Sequence, residues 1–258
     1  MSIESLRTDW LLAFKNLFFP IYCQECGERL LTEDNGYFCP TCWEQSPRIT
    51  RPYCTGCGKP HEAMVGLGTQ NNFPCNTCRD KPNKKIHRIY GTALYDGAIG
   101  RAIRLMKFNG KLRLAAPLVE EVLDWAQREM EPERYDLLVP VPLYPVRERM
   151  RGFNQSRLLA EGILPLFTNA RLDESLSRIR PTRTQSSLKG RKRRDNVRGA
   201  FAVIGDTCIE KHILLIDDVV TSSGTVTECA AALLRGGAIE VDVLSIALAT
   251  KRTRWDRT

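Results

Sequence analysis

The 258-residue chain contains no apolar run approaching the ~20 residues needed to span a bilayer. It contains no G-x-x-x-x-G-K-[ST] string, which removes the Walker A class of phosphate-binding proteins. The opening stretch MSIESLRTDWLLAFKNLFFPIYC lacks the marks of a signal peptide. Glu4 and Asp9 come early, Lys15 and Asn16 break the apolar stretch, and no small-residue cleavage site follows. Together these absences predict a cytoplasmic protein without a transmembrane segment. Within the same stretch, Trp10, Leu11, Phe14, Leu17 and Phe18 recur at helical spacing. That stripe predicts a short helix packed on the body, with docking to a membrane-bound partner as the alternative.

What is present suits a folded chain of one large domain or two modest ones: 43% of residues are hydrophobic and 26% charged. The net charge is +8, and its placement matters more than its size. Between Arg171 and Arg198 ten Lys/Arg face three Asp/Glu, so +7 arises in 28 residues. The Thr, Ser, Gln and Gly among them read as a mobile basic loop suited to clamping phosphates.

Eight of the ten cysteines form four C-x-x-C pairs: Cys23/Cys26, Cys39/Cys42, Cys54/Cys57 and Cys75/Cys78. The gaps between successive pairs are 12, 11 and 17 residues. Two thiolates separated by two residues bind one metal from a tight knuckle, and two knuckles complete a tetrahedral site. Four knuckles therefore predict two structural zinc sites. Sequential ribbons (23/26/39/42 and 54/57/75/78) are favoured, with a crossed grouping (23/26/54/57 and 39/42/75/78) left open. Gly27, Gly56 and Gly58 lie where a knuckle turn often needs positive φ. The segment has few large apolar residues, so metal would supply folding energy. Without a secretion signal disulfides are disfavoured, and a redox C-x-x-C does not usually occur four times over. His61 reads as a surface residue, and Cys208 and Cys229 as core.

After RDKPNKK the pattern changes, which sets the expected boundary: residues 1–85 as N-terminal helix and zinc-binding domain, 86–258 as a second domain. In the second part, strands are expected at 86–95, 135–143, near 174–180 and 200–204, at 212–217 and at 240–249. Helices are expected at 97–108, 112–130, 154–167 (capped by Asn154) and 224–235. Strands alternating with helices predict an α/β fold with a mostly parallel sheet, whose ligand edge is the carboxyl end of the strands.

ILLIDDVVTSSGTVT (213–227) then places two acids and a small hydroxyl-rich turn on that edge. The turn runs into a helix, whose first amides and dipole favour an anion. The acids suit vicinal hydroxyls, because a carboxylate only accepts hydrogen bonds. A sugar 5-phosphate satisfies both halves, with magnesium near the acids offsetting repulsion and bridging a second, pyrophosphate group. A response-regulator receiver domain is disfavoured, since only 40 residues follow Asp218.

This stretch resembles the phosphoribosyl pyrophosphate (PRPP) motif of type I phosphoribosyltransferases. With the eight cysteines, ALYDGAIGRAIRLMKFNG, VPVPLYPVRERMRGFNQS and RTQSSLKGRKRRDNVRGAF, the chain resembles the ComF family from about Tyr22 to Thr250. That family joins a zinc segment to a phosphoribosyltransferase-like domain. The resemblance implies a type I phosphoribosyltransferase-like parallel sheet flanked by helices, preceded by a Cys-rich double zinc-ribbon segment. It implies that Asp217 and Asp218 hold the ribose hydroxyls, and that Thr221, Ser222, Ser223, Gly224 and Thr225 form the 5-phosphate loop. The turn from Pro142 to Arg151 becomes the pyrophosphate side, with Arg147, Arg149 and Arg151. Segment 178–194 becomes a closing loop, with Arg180, Arg183, Gln185 and Arg191 as candidates. Of the arginines, Arg147, Arg151 and Arg183 are the principal catalytic candidates beside the two acids.

The implied activity is PRPP-dependent transfer of the phosphoribosyl group, a glycosyltransferase reaction. The implied setting is natural transformation, with single-stranded DNA and DNA-uptake (competence) proteins as partners. A non-catalytic DNA-binding or scaffold protein that keeps the PRPP site for regulation is the alternative. Trp43, Tyr53, Phe108 and Phe153 are candidate base-stacking aromatics, each also explicable as core. No pattern in the sequence identifies the phosphoribosyl acceptor.

Overall fold

The computed structural model describes residues 18, 20–30, 36–61, 71–180, 197–221 and 223–250. The expected N-terminal stripe through Leu17, the loop candidates Arg183, Gln185 and Arg191, and Ser222 lie outside these residues.

Five parallel strands form the central sheet: β3 (Ile89–Leu94), β4 (Leu137–Pro140), β5 (Arg171–Leu172), β8 (His212–Val220) and β9 (Glu240–Leu248). Their order is β3-β9-β8-β4-β5, and every pairing is parallel. The central β8 reads HILLIDDVV and is buried along nearly its whole length, as expected for a strand covered on both faces. The sheet grows outward in opposite directions from β4 and β8, so the switch point lies between their carboxyl ends. That crevice is where open parallel sheets bind ligands.

Helix α3 (Gly97–Asn109) starts where the Asp96 carboxylate accepts from Gly97 N–H at 2.9 Å and ends at left-handed Gly110, φ 65°. Helix α4 (Ala115–Glu129) and helix α6 (Gln155–Ile163) pack on each other, α4 over β3 and β9 and α6 over β4 and β8. Asn154 caps α6, its Oδ1 accepting from Ser156 N–H at 3.0 Å, as its sequence position predicts. Helix α7 (Gly224–Arg235) joins β8 to β9 and packs on both strands. It also packs on a separate antiparallel pair, β6 (Leu176–Arg178) with β7 (Phe201–Val203). This pair forms the two stems on either side of the basic segment.

The structure corrects three sequence expectations. β8 runs to Val220 and not to Asp217, so Asp218 too lies within the strand. Pro142 to Arg151 is no simple turn, because Pro145–Arg151 forms helix α5. A proline at the first helical position suits helix entry, a reading that the nearby Pro140 and Pro142 obscure. The edge strand β5 has only two residues, too short to leave a pattern.

The cysteine-rich part carries β1 (Ile21–Tyr22) paired with β2 (Arg29–Leu30), and the short helices α1 (Pro40–Glu44) and α2 (Asn76–Asp80). It does not stand apart from the sheet. Ile49 N–H donates to Thr92 O (2.8 Å) and Leu94 N–H to Pro47 O (2.7 Å), so residues 47–49 line the free edge of β3 antiparallel. Phe38, Ile49 and Tyr53 join the same hydrophobic cluster as β3, α3 and α4. On α4, Glu121, Trp125 and Glu129 recur every four residues, hence on one face. Glu121 takes the Arg48 guanidinium and the Trp43 indole N–H, Trp125 donates to Ile49 O, and Glu129 takes Arg51 and the Tyr53 hydroxyl.

Candidate functional site

The eight paired cysteines gather into two clusters, Cys23/Cys26/Cys39/Cys42 and Cys54/Cys57/Cys75/Cys78, with the sulfurs of each within 4.8 Å of one another. The sequential grouping is therefore the observed one. In each cluster backbone N–H groups point at sulfur: Cys39 N–H at Cys23 Sγ (3.4 Å), Cys57 N–H and Cys75 N–H at Cys54 Sγ (3.4 and 3.2 Å). Such donors favour the thiolate that a metal requires. The Cys54 thiol is lowered to about 4 by its bond with the Cys57 side chain and by amides of Cys75, Cys57 and Gly56, against the effect of burial. Four thiols with amide donors behind them fit zinc.

Gly27 and Gly58 have the positive φ expected of the turns, 78° and 70°, whereas Gly56 does not. Gly56 is small for another reason: a Cβ there would sit 3.2 Å from Cys78 Cβ. His61 is held by Phe73, ring against ring at 3.9 Å and through a 2.9 Å hydrogen bond to its carbonyl, and joins neither cluster. Cys208 and Cys229 are fully buried, as expected of core residues.

At the other functional region, β4 stops pairing at Pro140 opposite Ile216, so the two acids of β8 open onto the crevice. Asp218 is 5% exposed, and Asp217 is half-buried. Lys107, near the end of α3, places its Nζ 2.6 Å from Asp218 Oδ2. Ser156, in the first turn of α6, donates to Asp217 Oδ1 at 3.2 Å. Asp218 N–H also bonds Asp217 Oδ1, and Val219 N–H bonds Asp218 Oδ1, both at 2.9 Å, which fixes the carboxylate planes.

Burial, then the adjacent Asp218 charge, raise Asp217 to about 8, with Lys107 pulling the other way. Burial alone would depress the Lys107 ammonium, but the two carboxylates hold it above its ordinary value. The site thus sets a lysine against two coupled acids, of which Asp217 holds its proton well above the ordinary carboxylate range.

Arg151 and Arg178 lie within electrostatic reach of the acids, and Arg147 within reach of both arginines. Burial lowers Arg151, with Asp218 opposing and Arg147 adding to the effect. Burial and Arg147 likewise lower Arg178 at the end of β6, against Cys229 and Asp217. Arg147, Arg151 and Arg178 therefore share one field, and crowded cations of this kind favour an anionic ligand. Arg149 is exposed, and Arg180 is engaged by the Arg198 carbonyl.

Beyond β8, Thr221, Ser223, Gly224 and Thr225 form the turn into α7. The left-handed residue is Ser223, φ 55°, and Gly224 is the first helical position. The Ser223 side chain makes no capping hydrogen bond. Of the four aromatic candidates only Phe108 is open, at 71% exposure, with the Arg151 guanidinium 5.9 Å from its ring centre. Trp43 and Tyr53 serve the α4 seam, and Phe153 packs against the core.

Lys107, Ser156 and Arg178 were not singled out in the sequence, although Lys107 lies in the KFNG of a family-like stretch and Arg178 in the basic segment. Each reaches the acids only through tertiary packing.

Residues 14–79 match the double zinc ribbon domain family. The DNA utilization protein YhgH of Escherichia coli K12 is 34% identical over 211 residues, covering 80% of this chain and 87% of the relative. Competence protein F of Haemophilus influenzae is 29% identical over 90% of this chain and 99% of its own. Competence protein ComFC of Streptococcus pneumoniae is 29% identical over 84% and 90%. Among solved structures, an allosteric regulatory enzyme of purine biosynthesis overlaps 51% of this chain and 25% of its own length at 21% identity and TM-score 0.33. A purine phosphoribosyltransferase from Pyrococcus horikoshii overlaps 53% and 82% at 10% identity and TM-score 0.30.

Proposed function

The chain belongs to the ComF family, with the curated YhgH and competence proteins, and from that premise we propose that it binds PRPP in the service of DNA uptake and use. The observation that carries the reading is the pairing of Asp217 and Asp218 with the α7 start at the sheet's switch point. The acids accept from the ribose hydroxyls. The turn from Thr221 to Thr225 and the first amides of α7 take the 5-phosphate. Arg147 and Arg151 on α5, joined by Arg178 and by Arg183 from the basic segment, meet the pyrophosphate.

Lys107 refines this scheme. Its ammonium sits on Asp218 Oδ2, so ribose entry requires the carboxylate to share that oxygen or the lysine to swing toward the phosphates. A divalent ion is also less needed on the acids themselves. Magnesium fits better as an ion carried on the diphosphate, contributing charge neutralisation of the leaving group. The reaction is displacement of pyrophosphate from C1 of ribose through a cation-like transition state. The arginines stabilise the departing charge and closure over the site excludes water.

Calorimetry with PRPP and magnesium tests the binding half. Asp217→Asn with Asp218→Asn should weaken PRPP by more than about tenfold, since each lost hydrogen bond to a charged group is worth ~1.5–3 kcal/mol. Unchanged affinity would overturn the ribose role. The catalytic half is tested with labelled PRPP and a panel of small amines and single-stranded DNA, reading released pyrophosphate.

The +7 charge between Arg171 and Arg198 and the open ring of Phe108 favour a second reading, in which the protein binds single-stranded DNA without turnover and PRPP is an effector. PRPP binding without pyrophosphate release, together with DNA binding that weakens steeply with salt, would select it.

A further inference from the structure

At the amino-terminal end of the sheet, opposite the Asp217–Asp218 edge, side chains of metal-ligand type converge. Glu240 and Asp242 are the first and third residues of β9, so the strand's two-residue period sends both carboxylates to one face. His87 lies two residues before β3 and is tied to β9 by its backbone N–H, which donates to Val241 O at 3.0 Å. His212 opens β8 and is the register partner of Glu240.

His87 Nδ1 lies 3.3 Å from Glu240 Oε2 and 3.1 Å from Asp242 Oδ1. The three ligand atoms fall within 4.8 Å of one another. Ligands bound at ~2.0–2.2 Å to a tetrahedral ion stand roughly 3.3–3.5 Å apart, close to this spacing.

The carboxylates are also braced from behind. Tyr135 Oη donates to Asp242 Oδ2 and Arg88 N–H to Asp242 Oδ1, both at 2.8 Å. The Arg134 guanidinium holds Glu240 Oε1, leaving Oε2 for another partner. Such outer hydrogen bonds are what orients carboxylate ligands in metal sites. His212 Nδ1, without a hydrogen-bond partner, lies 3.9 Å from Glu240 Oε1, the oxygen that Arg134 holds, and stays outside the three-ligand group.

We propose that His87, Glu240 and Asp242 form a third metal site, separate from both cysteine clusters, with water completing the coordination. An imidazole beside two carboxylates suits zinc, nickel or cobalt better than calcium. The ion would join the starts of β3 and β9, and so serve structure and not the reaction edge. The competing arrangement is a protonated His87 shared between the two carboxylates.

The test uses the full chain with its cysteine-bound zinc retained, titrated calorimetrically with nickel chloride and spectroscopically with cobalt chloride. One further equivalent of nickel should bind. Cobalt should show visible d–d absorption without a thiolate charge-transfer band. His87→Gln, at a side chain 38% exposed and so safe for folding, should abolish that equivalent. Tyr135→Phe should weaken it by about 10–100-fold. Zinc content should stay at the wild-type level in each variant. No added equivalent, one that survives His87→Gln, or cobalt bands of thiolate type would overturn the proposal.

Discussion

Residues 20–30, 36–61 and 71–80 surround eight thiols with little apolar bulk of their own, whereas β8 and β9 bury almost every side chain they carry. One region is organised by ligand geometry, the other by apolar area removed from water. The α4 seam joins the two, through Arg48 and Trp43 on Glu121 and through Arg51 and Tyr53 on Glu129. The difference teaches that this chain has two sources of order meeting at one helix face, so a lesion in either is felt at the seam.

The largest effect should come from the metal side. Cys54→Ser removes a ligand of the second cluster, whose metal supplies on the order of 10 kcal/mol of local folding energy. Zinc content measured on the purified protein should fall by one equivalent, and near-UV signals of Trp43 and Trp125 should change while far-UV circular dichroism of the sheet persists. Loss of the whole far-UV signal would erase the contrast between the regions.

On the apolar side, Leu215, fully buried in the middle of β8, gives the next effect. Leu215→Ala should cost about 2–5 kcal/mol in urea unfolding while zinc content stays constant. At the seam, Glu121→Gln keeps the shape but removes the charge from the Arg48 pair. With Arg48 one-third exposed, water screens part of that interaction. A loss of about 1 kcal/mol in thermal or urea unfolding is expected, and a much larger loss would make the seam a third source of order in its own right.

The last effect concerns pH. Asp217 rises from 3.8 to about 8 in the folded chain. The unfolded chain releases this proton near its ordinary value while the folded chain keeps it. Folding is therefore unpenalised below about pH 4, and stability is lost as pH rises toward about 8. Asp217→Asn should flatten that decline in urea midpoints measured across the range, and an unchanged slope would count against a buried, protonated Asp217.

Features set by neighbours in sequence were legible beforehand. The Asn154 cap, the α7 span and the position of the acids near a strand's carboxyl end all depend on residues a few positions apart. The knuckle spacing announced two metal sites but allowed two groupings, because spacing alone cannot say which pairs face each other. Lys107 and Ser156 were hidden for the opposite reason. They lie 111 and 61 positions from the acids they touch, and only the packing of α3 and α6 on the sheet brings them there. Helix α5 was hidden by prolines that equally suit a turn.

Residues 47–49 occupy the hydrogen-bonding edge of β3. An edge strand left bare is a template for another chain. The cysteine-rich segment therefore doubles as a shield against self-association. A cell short of zinc would be expected to lose this protein to aggregates before it loses the fold of the sheet, and light scattering after chelation, set against the far-UV spectrum, would show the order of the two events.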